Sequence, residues 1–164
     1  MRRCVRASLA FVGLSCAVLA LGCTGSPVGD PCVPEAIPDN GFSSGEVYLE
    51  TSSVQCRTRT CMVFRLQGHP ERIVGTPSCA AGDLTCVTQA DLQRHVYCSC
   101  RCRADEGDTT TPLCPCPSGY ACEEVVTTGG AGVRGSYCVP CRFTDMRPDD
   151  RGLGGEFPEC PPGS

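Results

Sequence analysis

The sequence predicts a small disulfide-rich fold, mainly β-strands and loops, arranged as two short antiparallel β modules behind a signal peptide. Three observations carry that expectation. Seventeen of the 164 residues are Cys, a density that belongs to oxidising compartments rather than to a reducing cytosol. Of the 142 residues after Gly22, only twenty-four are Val, Ile, Leu or Phe. That is too little apolar material for an ordinary core, so cross-links must restrict the unfolded chain instead. Finally, short β-rich runs alternate with Gly- and Pro-rich turns, the pattern of strands and hairpins.

The chain opens with three Arg and no acid in residues 1–6, followed by an uncharged apolar run over residues 7–22. A basic start and a short apolar stretch predict a secretory signal peptide on the general secretory route. The stretch Leu19–Ala20–Leu21–Gly22–Cys23 resembles the bacterial lipoprotein signal, in which a small residue precedes a Cys that is lipidated after cleavage. The resemblance implies that Cys23 becomes the new amino terminus, with diacylglycerol on its sulfur and an acyl chain on its amine. No cofactor is expected besides that covalent lipid. Thr24 in place of Asp implies the outer membrane under the family's sorting rule. Several acyl chains anchor stably where one binds only reversibly.

Cysteine parity bears on the same point. Cys4 and Cys16 leave with the signal and Cys23 takes lipid, so fourteen of the seventeen remain. Fourteen can close as seven bridges, whereas cleavage without lipidation would strand one thiol.

Past the signal the chain carries eleven Arg, no Lys and eighteen acids. This acidic balance excludes nucleic acid as a partner and argues against electrostatic adhesion to anionic lipid.

Residues 23–44 hold four Pro and are expected to form a tether, pinned once at Cys32. Within it and just beyond, residues 41–45 (GFSSG) match the nucleophile-elbow pattern. That motif needs a strand before it and a helix after it, so a turn is expected instead. Residues 45–104 are expected to form the first Cys-rich β module. Residues 46–50 and 61–66 read as strands, and Cys56 and Cys61 flank a four-residue polar turn that could close a bridge. Arg57 and Arg59 alternate with Thr and are expected to face solvent, a basic contact patch being the alternative.

Residues 67–87 read as a loop with a candidate Cys79–Cys86 bridge. Thr88–Gln89–Ala90–Asp91 has capping-box shape, predicting about two turns of helix through Arg94. Residues 95–103 then read as one strand, with Cys98, Cys100 and Cys102 on one face by the period of two. This strand is the expected centre of cross-linking.

Residues 105–113 are expected to be an acidic linker, and residues 114–141 a second, hairpin module. Gly130 lies midway between Cys122 and Cys138 within a Gly-rich turn. A hairpin centred there sets these two Cys opposite each other, which makes Cys122–Cys138 a candidate bridge. Cys32, Cys98, Cys100, Cys102, Cys114, Cys116, Cys141 and Cys160 are the remaining structural cysteines. Residues 142–164 read as an irregular tail.

No catalytic set can be assembled from two His and no supporting motif, so no enzyme is expected. No metal is expected either. Cys138–Val139–Pro140–Cys141 and the cluster from Cys98 to Cys116 lack ribbon spacing, and the first of these lacks a helical setting for redox chemistry. Asp145, Asp149 and Asp150 leave an irregular calcium clasp open. The third and sixth positions of a regular loop are Arg147 and Asp150, which breaks the helix–loop–helix pattern.

Cys114–x–Cys116–x–x–Gly119–Tyr120 resembles the end of an epidermal-growth-factor-like domain. However, Cys122 follows after one residue where that family leaves at least four, so its fold is not carried over. The whole chain resembles the Cys-rich surface lipoproteins of myxobacteria-like, GC-rich Gram-negative bacteria. The resemblance covers the signal, the lipid Cys and the composition, and it implies no activity. The expected role is therefore an outer-membrane-anchored ectodomain with a structural or binding role toward an envelope or extracellular protein or glycan. Tyr48, Tyr97, Tyr120 and Tyr137 serve as contact anchors or as the sparse core. Two alternatives stand beside this reading: a protease-inhibitor-like module presenting Arg134, and a thiol-rich metal or redox protein.

Overall fold

The computed structural model of the chain describes residues 27–104, 106–130, 132–141 and 160. Cys23 and the acidic group Asp145, Asp149 and Asp150 lie outside the described residues. The described part is a small disulfide-rich β domain made of two three-stranded antiparallel sheets and one short helix.

The first sheet comprises β1 (Val47–Thr51), β2 (Thr60–Phe64) and β3 (Val96–Ser99), in that spatial order. β1 and β2 pair from Val47↔Phe64 to Thr51↔Thr60, and β2 faces β3 with Thr60↔Ser99 and Cys61↔Cys98. As the central strand, β2 is buried at all five positions, which accounts for its unbroken apolar run. Its alternation still sorts the interior: Cys61 and Val63 join Val96, Cys98, Leu66, Val87 and Phe42, while Met62 and Phe64 meet Tyr97, Tyr137 and Val139.

The helix α1 (Gln89–His95) leads directly into β3. Thr88 caps it, its hydroxyl accepting from the Asp91 backbone N–H at 3.0 Å. The cap was legible in the sequence because Thr at this position offers an oxygen to an otherwise orphan donor.

The second sheet has the order β4 (Arg101–Ala104), β6 (Gly135–Pro140), β5 (Tyr120–Val126). Its central strand β6 is buried throughout. β5 and β6 form the Gly-rich hairpin expected from the sequence, with Cys122 opposite Cys138.

The two sheets share one core. Tyr97 of β3 and Tyr137 and Val139 of β6 are buried in the same cluster, and the Tyr97 and Tyr120 rings lie 5.5 Å apart. The Tyr97 hydroxyl and the Ser99 hydroxyl both donate to the carbonyl of Cys138, at 3.2 and 2.7 Å. Tyr97 and Tyr137 are thus core, with Tyr48 and Tyr120 half-buried at its margins.

Three expectations about chain organisation are corrected. The single strand over residues 95–103 breaks at Cys100: β3 stays in the first sheet and β4 crosses to the second. The physical reason is that the Cys100 carbonyl is used by Cys138 N–H, at 3.0 Å. The module boundary placed at residue 104 therefore falls inside the second sheet. The tether, from Val28 onward, belongs to the fold. Val28, Cys32 and Phe42 are buried, Gly29 N–H donates to Cys98 O at 2.9 Å, and Cys98 N–H donates to Asp30 O at 2.7 Å. This covers the outer edge of β3, whose backbone groups would otherwise go unsatisfied. The acidic linker likewise folds onto the second sheet through Asp108, as described next.

Candidate functional site

The turn from β1 to β2 is built before its side chains matter. Ser52 and Ser53 N–H both donate to Arg59 O, and Arg59 N–H donates to Cys56 O at 2.9 Å. Closing the turn this way puts Ser52 at φ 105° and Arg59 at φ 63°. Both are left-handed conformations in which a non-Gly residue is strained. The turn is pinned by a bridge from buried Cys56 to Cys98 of β3. Arg57 and Arg59 stand exposed on it, as the sequence suggested.

Opposite lies the former linker. Asp108 accepts from the backbone N–H groups of Thr110 and Thr111 at 2.9 and 3.2 Å, and from their hydroxyls at 3.0 and 2.7 Å. It also pairs with Arg101 of β4 at 2.8 Å. The Thr111 hydroxyl first, then the Thr110 amide, hold its carboxyl well below the usual carboxylate range. Arg101 reaches the carbonyl of Arg134 as well, so one guanidinium ties β4, the linker and the end of the hairpin turn together. The signal missed in the sequence was Asp108–Thr109–Thr110–Thr111, a run whose short oxygens favour such a local turn.

Between these walls is a cleft of about 490 Å³, lined on one side by Thr51, Ser52, Arg57, Thr58, Arg59 and Thr60. Thr111, Pro112, Leu113 and Cys114 line it from the other segment, together with Arg101 and Tyr137. No carboxylate lines it among the described residues. Arg101 is neutralised by Asp108, whereas Arg57 and Arg59 make no ion pair among the described residues. The Thr58 Oγ1 is buried with no hydrogen-bond partner among the described residues. Tyr137 donates its hydroxyl to Val133 O at 2.7 Å, and burial pushes the phenol up.

Beside the cleft the sulfurs are densely packed. The fourteen cysteines from Cys32 to Cys160 form seven bridges. Cys79 bonds Cys86. The other two candidate pairings are corrected. Cys56 bonds Cys98 while Cys61 bonds Cys32, and Cys122 bonds Cys102 while Cys138 bonds Cys116. Cys56 lies in the turn and not opposite Cys61, whose cross-strand neighbours are Glu50 and Cys98, whereas Cys122 and Cys138 do face each other but each takes a partner from outside the hairpin. Cys61 and Cys98 bond Cys32 and Cys56 from the segments outside the first sheet, Cys138 bonds Cys116 ahead of β5, and Cys122 bonds Cys102 of β4. The remaining bridges are Cys100–Cys114 and Cys141–Cys160.

Three of the seven bridges start from Cys98, Cys100 and Cys102, so the segment read as the centre of cross-linking has that place. The Sγ atoms of Cys100 and Cys138 lie 3.8 Å apart although they belong to different bridges. Triads of Sγ atoms at Cys32, Cys56 and Cys61, at Cys100, Cys114 and Cys138, and at Cys102, Cys116 and Cys138 fall within metal-ligand distance. Each is made of adjacent bridges, whose sulfurs are not thiolates.

Other singled-out residues are dispersed. His69 accepts from Glu71 N–H in a turn, and Ser43 is exposed after buried Phe42 with no helix following. Arg134 is half-buried with its Nε shielded from water, not presented at a loop tip. Cys138 sits on β6 and not at a helix start. The chain matches no family model, no curated protein and no solved structure.

Proposed function

We propose that the protein is a lipid-anchored lipoprotein of the bacterial outer membrane whose disulfide-stapled ectodomain has a non-catalytic binding role. The observation that carries this reading is the use of sulfur. Every Cys from Cys32 to Cys160 is bridged, which leaves Cys23 as the one remaining cysteine after Gly22. Seven bridges support an extracellular or envelope setting, because reducing compartments do not sustain them. A covalent diacylglycerol and acyl chain on Cys23 hold the domain at the membrane, and no other cofactor takes part. The partner is an envelope or extracellular protein or glycan, and the cleft beside Arg57 and Arg59 is the surface that meets it.

Intact-mass analysis of membrane-extracted protein tests the reading. The expected result is a chain beginning at Cys23 that carries the mass of three acyl chains and no alkylatable thiol. A chain without lipid, or one with several free thiols, would overturn it.

A further inference from the structure

Resting on that binding role, we infer that the cleft between the β1–β2 turn and residues 111–114 takes a carboxylated saccharide, its uronic-acid carboxylate held between Arg57 and Arg59. Charge is the first ground. The chain as a whole carries a net charge of −4, yet the cleft contains no carboxylate and two guanidiniums without an ion pair among the described residues. Segregation of cations in an acidic protein creates a local field for an anion, and guanidinium forks match a carboxylate in shape as well as charge.

Backbone strain is the second. Only Ser52, Arg59 and Arg65 among the described non-Gly residues have positive φ, and two of these three line the cleft. Gly would occupy φ 63° without penalty. An Arg there accepts strain and gains a guanidinium at the cleft mouth, the relation expected of a residue kept for a ligand.

The lining decides between saccharide and peptide. An extended peptide binds by adding main-chain hydrogen bonds to a free backbone edge. Here the N–H groups of Ser52, Ser53, Arg59 and Cys114 are already spent on Arg59 O, Cys56 O and Arg101 O. What the cleft adds is side-chain oxygen. Thr51 and Ser52 supply exposed hydroxyls, while the Thr111 hydroxyl already donates to Asp108 and that of Thr58 is buried. Hydroxyls beside the apolar wall of Pro112 and Leu113 suit the polar rim and apolar face of a sugar ring. The volume of about 490 Å³ lies within the roughly 300–1,000 Å³ range of small-ligand sites.

The test is calorimetric titration of the oxidised, membrane-extracted full chain with trigalacturonic acid, galactotriose and triglutamate. The acidic trisaccharide is expected to bind at least about tenfold more tightly than the neutral one, and more weakly as salt rises toward about 0.15 M. Arg57→Gln and Arg59→Gly are each expected to weaken it by roughly tenfold, the scale of a lost charge-assisted hydrogen bond. Arg59→Gly is also expected to melt no lower than the parent protein, because it relieves the positive φ. A purely structural Arg59 would lower the melting temperature instead.

Equal binding of the neutral sugar, tighter binding of triglutamate, unchanged affinity in both variants, or no binding at all would each overturn the inference. The mass of the same sample reports the anchor separately. A lipidated, fully bridged protein that ignores the saccharide sinks only this inference, while an unlipidated one that binds it sinks only the anchored reading.

Discussion

Arg101 and Asp108 form a 2.8 Å ion pair with their side chains only 4% and 5% exposed. Such a pair ties β4 to a segment that otherwise has few ways to stay in place. Removing one partner of a buried pair leaves the other charge uncompensated, and Arg101 is also held by the Arg134 carbonyl. Asp108→Asn is therefore expected to lower the melting temperature at neutral pH. The Asp108 carboxyl titrates below its ordinary value of 3.8, chiefly through the Thr111 hydroxyl. A carboxylate with a depressed native value contributes stability that is complete above its unfolded value and is lost as pH falls through the native one. Thermal melts from pH 7 to pH 2 should thus decline below about pH 4 in the parent, and less steeply in Asp108→Asn.

His95 predicts a second, separate pH response. Its Nδ1 lies 2.6 Å from Phe64 O, and burial is the main cause that depresses its ionisation below 6.5. Asp91 and Arg94 act on it with opposite signs. The unfolded chain then binds a proton that the native chain resists, so stability is complete above about pH 6.5 and falls below it. His95→Asn keeps a donor for Phe64 O while removing the titration. Its melting temperature should stay flat between pH 7.5 and pH 5.5, where that of the parent declines.

The joint between the sheets can be measured by a double-mutant cycle. Tyr97→Phe and Ser99→Ala each remove one side-chain donor from the Cys138 carbonyl and are each expected to cost about 1 kcal/mol. Together they strip both donors from a buried acceptor, so denaturant titration should show a loss larger than the sum. Simple additivity would mean the two hydroxyls do not act on one carbonyl.

Bridge connectivity is open to direct mapping. Non-reducing peptide mass spectrometry should recover Cys102 with Cys122 and Cys116 with Cys138, and no Cys122–Cys138 fragment. Replacing both Cys102 and Cys122 with Ser is expected to cost about 2–4 kcal/mol while leaving the other six bridges in place. A Cys122–Cys138 fragment from the parent protein would contradict the observed pairing.

Much of the backbone was legible because it follows local rules. The β-rich run from Cys61 marked β2, Thr88 marked the start of α1, and the centre of the Gly-rich turn set Cys122 opposite Cys138. What stayed hidden depends on contacts far apart in sequence. Cys61 also faces Cys98 across β2 and β3, yet their sulfurs reach Cys32 and Cys56. Strand register is a property of the backbone, whereas sulfur pairing depends on which loop folds over each face. The cleft was half visible: Arg57 and Arg59 could be read as a basic patch. Its second wall could not, because it exists only once Asp108 has drawn the segment against Arg101.

The facing but unbonded cysteines have a consequence for how the chain is made. A hairpin forms early and brings Cys122 and Cys138 side by side, so an oxidant acting on the folding chain meets a pair that the native protein does not use. The native partners, Cys102 and Cys116, lie twenty and twenty-two residues upstream of them. Maturation is therefore expected to involve reshuffling by an isomerase as well as oxidation. Yield of the native protein should track the disulfide-isomerising capacity of the host more closely than its oxidising strength.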